Sequence, residues 1–163
     1  GLIPDAWLEG IICPIYKGKG DPAEPSNYRP ITILSCFGKL FTAVLNMRLN
    51  NFLNYYDLLN QNQAGFRAGF STNDHIFALH AIIELLKSKN KKLFCSFIDF
   101  SKAFDSVWRV GLWMKLLSNG INGKFFRLIY NLYYNIKSCV HFAGEQSRFF
   151  HSYSGVRQGE NLS

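Results

Sequence analysis

Leu93-Phe94-Cys95-Ser96-Phe97-Ile98-Asp99-Phe100-Ser101-Lys102-Ala103-Phe104-Asp105-Ser106-Val107 is the stretch on which the reading of this chain turns. Its first six residues are nearly all apolar, the pattern of a central strand covered on both faces. A polar break, Lys89 to Lys92, precedes them and Asp99 ends them. A carboxylate at the end of a buried strand is held rigidly at the rim of a sheet. A phosphoryl-transfer enzyme places a hard oxygen ligand for Mg²⁺ at such a rim. An Asp there also serves as an ordinary cap or turn residue before a helix. The spacing predicts such a helix over Lys102 to Leu117, closed by Asn119-Gly120.

Upstream, Ile11 to Ile15 reads as a short strand and Ile31 to Leu34 as another, joined by a basic turn, Lys17-Gly18-Lys19-Gly20-Asp21-Pro22. From Ser35 the period changes. Phe37, Leu40, Phe41, Val44, Leu45, Leu49, Phe52, Leu53 and Tyr56 recur at three- and four-residue steps, an amphipathic helix with Ser35 as its cap. Gln61 to Phe70 is an irregular loop, followed by a helix from Thr72 to Lys87 with Ile76, Leu79, Ile83 and Leu86 on its buried stripe. Downstream, Gly123 to Tyr134 is a helix, and Ser138 to Phe142 with Ser147 to Tyr153 form a hairpin about Gly144-Glu145. The order is that of an α+β chain, without the regular alternation of a nucleotide-binding parallel sheet.

The 163 residues are enough for one domain with a core. No apolar run approaches the roughly 20 residues that cross a bilayer, and no signal-peptide pattern opens the chain. Both ends read as cuts in a longer protein. Cys13, Cys36, Cys95 and Cys139 are too scattered for a zinc site or a disulfide framework, and fit reduced thiols in an intracellular protein. The net charge of +7 suits a polyanion binder, although a merely basic domain would carry it too.

Three further segments carry polar residues in settings that suit a ligand. Asn27-Tyr28-Arg29-Pro30-Ile31 follows Lys17 and Lys19. Gln63-Ala64-Gly65-Phe66-Arg67 precedes Ser71-Thr72-Asn73-Asp74, where Thr72 and Asp74 read as helix-start residues. Gly155-Val156-Arg157-Gln158-Gly159-Glu160-Asn161-Leu162-Ser163 sets two glycines about a polar pair, so that backbone can approach a ligand closely. Each alone also reads as a surface turn or a solvated loop. Together and in this order with Phe97 to Val107, they resemble the reverse-transcriptase family, in the form carried by non-LTR (LINE-type) retrotransposons. The resemblance covers nearly the whole chain.

That resemblance implies a right-hand polymerase fold, with fingers, an incomplete palm and no thumb. Residues 1–92 would be fingers, 93–117 palm, 118–157 a second fingers portion and 158–163 the start of a palm helix. It implies RNA-directed DNA synthesis on an RNA template and DNA primer from deoxynucleoside triphosphates, with Mg²⁺, or Mn²⁺ in its place. Asp99 matches the catalytic aspartate that binds metal, and the carbonyl of Phe100 would add a ligand. Backbone around Ser101, Lys102 and Ala103 would face the triphosphate, with Lys17, Lys19 and Arg29 neutralising its charge. Phe104 matches the ring that excludes a 2′-hydroxyl, while its alternative is a core aromatic. Asp105 is a signature position with a structural role. Gln158 would touch the nucleotide sugar, Gly159 would let the template pass, and Arg67 would contact the template backbone.

One departure stands out: the family's Tyr- or Phe-x-Asp-Asp turn is missing, and no Asp-Asp pair occurs anywhere in the chain. The expectation is therefore a segment that is inactive alone. Two other readings remain open: a non-catalytic nucleic-acid-binding remnant of a decayed element, and an intron maturase. An intracellular site, nucleus or cytoplasm, goes with all three, and no membrane is implied.

Overall fold

The computed structural model describes residues 2–163. They form two compact units: the residues up to Asn50 together with Ser101–Ser163, and Asn51–Phe100. The α+β reading holds, with five helices and a five-stranded sheet among the described residues.

The first unit is built on that sheet. A single helical turn, α1 (Asp5–Leu8), leads into β1 (Glu9–Tyr16), which is the middle strand. On one side β1 pairs antiparallel with β2 (Tyr28–Ile33), from Ile11 opposite Ile33 to Tyr16 opposite Tyr28. On the other it pairs in parallel with β3 (Lys137–Phe142), Gly10 lying opposite Ser138. The short β4 (Glu145–Gln146) and β5 (Phe150–His151) both pair antiparallel with β3. Ala143 and Gly144 join β3 to β4 with φ of 51° and 85°, the two left-handed residues that a tight hairpin takes. The expected hairpin is therefore present, whereas β1–β3 pairing joins residues too far apart in sequence for any local pattern to announce.

Three longer helices contribute to this unit: α2 (Cys36–Tyr55), through its residues up to Asn50, α4 (Arg109–Ser118) and α5 (Gly123–Tyr134). Ser35 does begin α2, its carbonyl accepting the Lys39 amide at 2.8 Å. Leu45 of α2 meets Ile129, Leu132 and Tyr133 of α5 and the following Ile136 in one buried cluster. Each such side chain contributes about 1.5–3 kcal/mol of burial. The stripe that α2 buries is narrower than its apolar spacing suggests: Gly38, Thr42 and Leu45 are buried, while Phe37 and Leu40 face solvent. At Gly38 the helix takes in Trp7, whose ring also lies 5.2 Å from that of Phe41. Helix α4 stops where expected. The Gly120 amide reaches the Leu117 carbonyl and the Ile121 amide reaches Leu116, with Gly120 at φ 81°, a Schellman end.

That helix begins seven residues later than the expected Lys102. Lys102 itself has φ 51°, outside the helical region. The carbonyls of Phe104 and Val107, which a helix would use internally, instead accept the amides of Val156 and Gly155 at 2.8 and 2.9 Å. A long-range backbone pairing has overridden the local helical spacing.

In the second unit α3 (Thr72–Ser88) starts as expected, the Asp74 carboxylate accepting the Ser71 amide at 2.7 Å. Its apolar stripe is only half-buried at Leu79, Ile83 and Leu86, and Ile76 is exposed. The expected strand over Leu93 to Ile98 is absent: residues 91–100 form no ladder, and Phe94, Phe97 and Ile98 are 83–90% exposed. A fully apolar run becomes a central strand only if neighbours supply hydrogen bonds and cover, and none of the described residues pairs with it.

Two outcomes follow from this packing. Phe97→Ser removes an uncovered ring, so the unfolding free energy should stay within about 0.5 kcal/mol of the parent while the aggregation threshold rises. Light scattering alongside thermal unfolding checks both. At Gly155, φ is 76° and an added Cβ would lie 2.7 Å from the Asp105 carbonyl oxygen. Gly155→Ala should therefore cost about 2–4 kcal/mol through strain and overpacking, read as a lowered urea midpoint.

Candidate functional site

The basic turn after β1 is braced by its own side chains. Lys17 donates from Nζ to the Ser26 carbonyl at 2.7 Å, Asn27 from Nδ2 to Asp21 at 2.9 Å, and the Tyr28 hydroxyl to Pro22 at 2.8 Å. The turn forms one wall of a cavity of about 800 Å³ in the first unit. Its floor comes from the sheet, through Ile12, Pro14, Pro30, Val140 and Phe142, and its opposite wall from Lys102, Ala103, Phe104 and Asp105. Gln158 closes one side. Three cations, Lys17, Arg29 and Lys102, face this space with two carboxylates, Glu24 and Asp105. An apolar floor with cations at its rim suits an anionic ligand that also carries an apolar or planar part.

The wall holding Gln158 is fastened from beneath. Arg109, 8% exposed at the start of α4, donates from Nε to the Gly155 carbonyl at 2.8 Å. Its Nη1 reaches the carbonyls of Tyr133 and Ser152 at 2.9 and 2.7 Å, and its Nη2 that of Ser154 at 3.0 Å. Burial pulls its pKa below the ordinary guanidinium value, the nearby Tyr133 opposing and Arg157 reinforcing that shift. Arg157 is also buried, paired with Glu160 at 2.9 Å, and it donates to the Trp7 carbonyl at 3.0 Å. The Tyr133 hydroxyl donates to the second Glu160 oxygen at 2.6 Å. Burial first, and then the Glu160 charge and hydrogen bond, push the Tyr133 pKa far above the usual phenol range. Between the two braced residues, Gln158 offers its carbonyl to the Thr32 amide at 2.8 Å. Gly159, at φ 115°, passes so close to Thr32 that a Cβ would lie 2.9 Å from its carbonyl oxygen.

Of the residues singled out from sequence, Lys17, Arg29, Lys102, Ala103, Phe104 and Gln158 line this one cavity. Lys19, Ser101 and Gly159 belong to the same unit but not to the lining. Asp99, Phe100 and Arg67 belong to the second unit, where Arg67 packs over the Phe70 ring at 4.4 Å and donates to the Asn60 carbonyl at 2.9 Å. Arg109, Tyr133 and Glu160 carry the site's support and were not among the expected residues. The acceptors of Arg109 are mostly carbonyls, which leave no trace in sequence. The Arg157–Glu160 spacing of three residues is the one signal that was available.

Among the described residues no three His, Cys, Asp or Glu side chains come together as metal ligands. Asp99 and the Phe100 carbonyl are two oxygen donors, and Mg²⁺ completes its six with waters and substrate phosphates. One carboxylate and one carbonyl thus do not by themselves make a two-ion centre for phosphoryl transfer.

Residues 16–163 match the family described as reverse transcriptase (RNA-dependent DNA polymerase). The chain is 31% identical over 162 residues to a probable RNA-directed DNA polymerase from transposon X-element of Drosophila melanogaster, covering 98% of the chain and 17% of that protein. It is 37% identical over 118 residues to the corresponding protein from transposon BS of the same species, covering 71% of the chain and 13% of that protein. A retrovirus-related Pol polyprotein from type-1 retrotransposable element R2 of Nasonia vitripennis is 27% identical over 165 residues, covering the whole chain and 15% of that protein. The chain thus spans less than a fifth of the length of these relatives.

The Tyr133 environment predicts an alkaline weakness. The folded state keeps this phenol protonated above its ordinary value of 10.0, while the unfolded chain releases the proton there. The unfolded state then binds fewer protons, so this group's stabilisation is complete below about pH 10 and is lost as pH rises beyond it. Tyr133→Phe should lower stability at pH 7 by about 1–3 kcal/mol, from one lost charged hydrogen bond, and flatten the decline between about pH 9.5 and 11 because the titrating hydroxyl is gone. Urea titrations across that range measure it.

Proposed function

Because the chain belongs to the reverse transcriptase (RNA-dependent DNA polymerase) family, we propose that its cavity receives the incoming deoxynucleoside triphosphate during RNA-directed DNA synthesis. One observation carries the reading. Three segments far apart in sequence, Asn27 to Ile31, Lys102 to Asp105 and Gly155 to Gly159, each supply wall residues to the same space. Lys17, Arg29 and Lys102 would meet the triphosphate, as their charge suits a reaction governed by positioning and electrostatics. Gln158 and Phe104 would flank the sugar. Phe104 is half-buried and lines the cavity, which supports a ring that blocks a 2′-hydroxyl.

In the right-hand description, residues 1–92 and 118–157 would be fingers, 93–117 palm and 158–163 the start of a palm helix. Asp99 and the Phe100 carbonyl would contribute to divalent-metal binding, Mg²⁺ or Mn²⁺, with further ligands from outside these residues. Lys19 and the Ser101 backbone would assist with phosphate, while Arg67 and Gly159 would contact the RNA template. The parent protein would act on an RNA template and DNA primer inside the cell, in nucleus or cytoplasm, and the relatives' names point to a retrotransposon. Four free cysteines accord with a reducing compartment, and no helix among the described residues is long and apolar enough to cross a membrane.

The deciding measurement is sugar selectivity in an enzyme reconstructed to the length of the relatives around this segment. Phe104→Val should raise the ratio of kcat/KM for CTP over dCTP by at least about tenfold, a ΔΔG‡ of about 1.4 kcal/mol, with dCTP use little harmed. If the ring is only a core filler, the ratio stays fixed and stability falls by about 1–4 kcal/mol. The 163-residue chain alone should give no primer extension on poly(rA) with oligo(dT), Mg²⁺ and dTTP.

A further inference from the structure

Arg109 is absent from the lining of the large cavity, yet every N–H of its guanidinium is engaged. Besides the four carbonyl bonds, Nη2 lies 3.4 Å from the Ser152 hydroxyl, and the carbon of the group sits 5.7 Å over the Tyr133 ring. No carboxylate is among these partners. Burying a cation against neutral acceptors is costly, so its geometry must return something that charge pairing does not. The geometry joins three places: the end of α5 at Tyr133, the 152–155 turn, and the first residue of α4. The chain running into α4 is Phe104 to Val107. Immediately after the clamped turn, the Gly155 and Val156 amides bond to the carbonyls of those same two residues. Two residues further on stands Gln158.

We propose that Arg109 is a positioning residue that sets the separation of Phe104 and Gln158, and hence the room left for the sugar of a bound nucleotide. The inference rests on the nucleotide reading of the cavity. Arg109 touches no ligand. It ties the Gly155 turn down so that the two backbone bonds to Phe104 and Val107 persist, and Gln158 follows from the turn. A planar fork with five N–H groups can span Gly155, Tyr133, Ser152 and Ser154 together. A lysine ammonium keeps the charge but offers three donors from one point.

The experiment compares the full chain with Arg109→Met, Arg109→Lys and, as a control of matched global stability, Ile121→Ala, which empties a buried site outside the clamp. Hydrogen exchange followed by mass spectrometry reads peptides covering residues 150–158. Equilibrium binding of dCTP and of CTP gives the selectivity. Arg109→Met should speed exchange around Gly155 and Val156 about tenfold beyond Ile121→Ala. It should also shift the CTP-to-dCTP affinity ratio about fivefold toward CTP, with Arg109→Lys resembling Met on both readouts. Exchange no faster than in the control, or restored to the parent rate by lysine, overturns the clamp. Faster exchange with an unchanged ratio overturns its role in sugar selection. Should the parent chain bind neither nucleotide, the nucleotide reading and the sugar role both fall, while exchange still decides whether Arg109 clamps the turn.

Discussion

A buried guanidinium answered by carbonyls is the constraint around which the first unit is arranged. Arg109 fixes the 152–155 turn against the end of α5, and the amides of Gly155 and Val156 in turn bond the Val107 and Phe104 carbonyls. Had the partner been a carboxylate, one salt bridge would have joined two points. Carbonyl acceptors let one side chain gather backbone from separate segments, because each peptide offers an acceptor wherever the chain passes. The cost is a desolvated charge, which the drop in the Arg109 pKa records. Among the described residues, no buried side-chain nitrogen or oxygen is left without a partner, so the arrangement is closed.

The second fastening, Arg157 with Glu160 and the Tyr133 hydroxyl, works on the other flank of Gln158. The two fastenings meet at Tyr133. Its carbonyl serves Arg109, its hydroxyl serves Glu160, and its ring stands in the core beside Leu132 and Leu45. The hydrophobic cluster and the polar network are therefore not separate layers. A buried pair of this kind adds little net stability over apolar packing, whereas removing one partner would leave a charge buried and unpaired.

Sequence reasoning succeeded where structure follows from neighbours along the chain. Ser35 starts α2, Asp74 accepts the amide of Ser71, and Asn119-Gly120 end α4, because caps and turns depend on local donors and backbone freedom. It failed where a distant segment intervened. Phe104 to Val107 lost its helical bonding to Gly155 and Val156, and the apolar run over Leu93 to Ile98 found no strand to lie beside. The site was legible in the same proportion. Polar and aromatic wall residues such as Arg29, Phe104 and Gln158 stood out by type and order. Arg109 did not, since a lone arginine after Trp108 reads like any surface cation until its carbonyl partners are located.

The sheet's middle strand imposes an order in time. Strand β1 lies between β2 and β3, so one of its edges stays open until Lys137–Phe142 exists. On a ribosome, β1 and β2 would emerge before β3, and a two-stranded hairpin is marginal in water. More than a hundred further residues must be made first, on the order of ten seconds at the usual pace of synthesis. During that interval the nascent chain presents an unpaired edge beside Ile11 and Ile12, together with the uncovered phenylalanines at 94 and 97. The parallel pairing that organises the finished sheet thus leaves the growing polypeptide with an open apolar strand edge until its last partner is made.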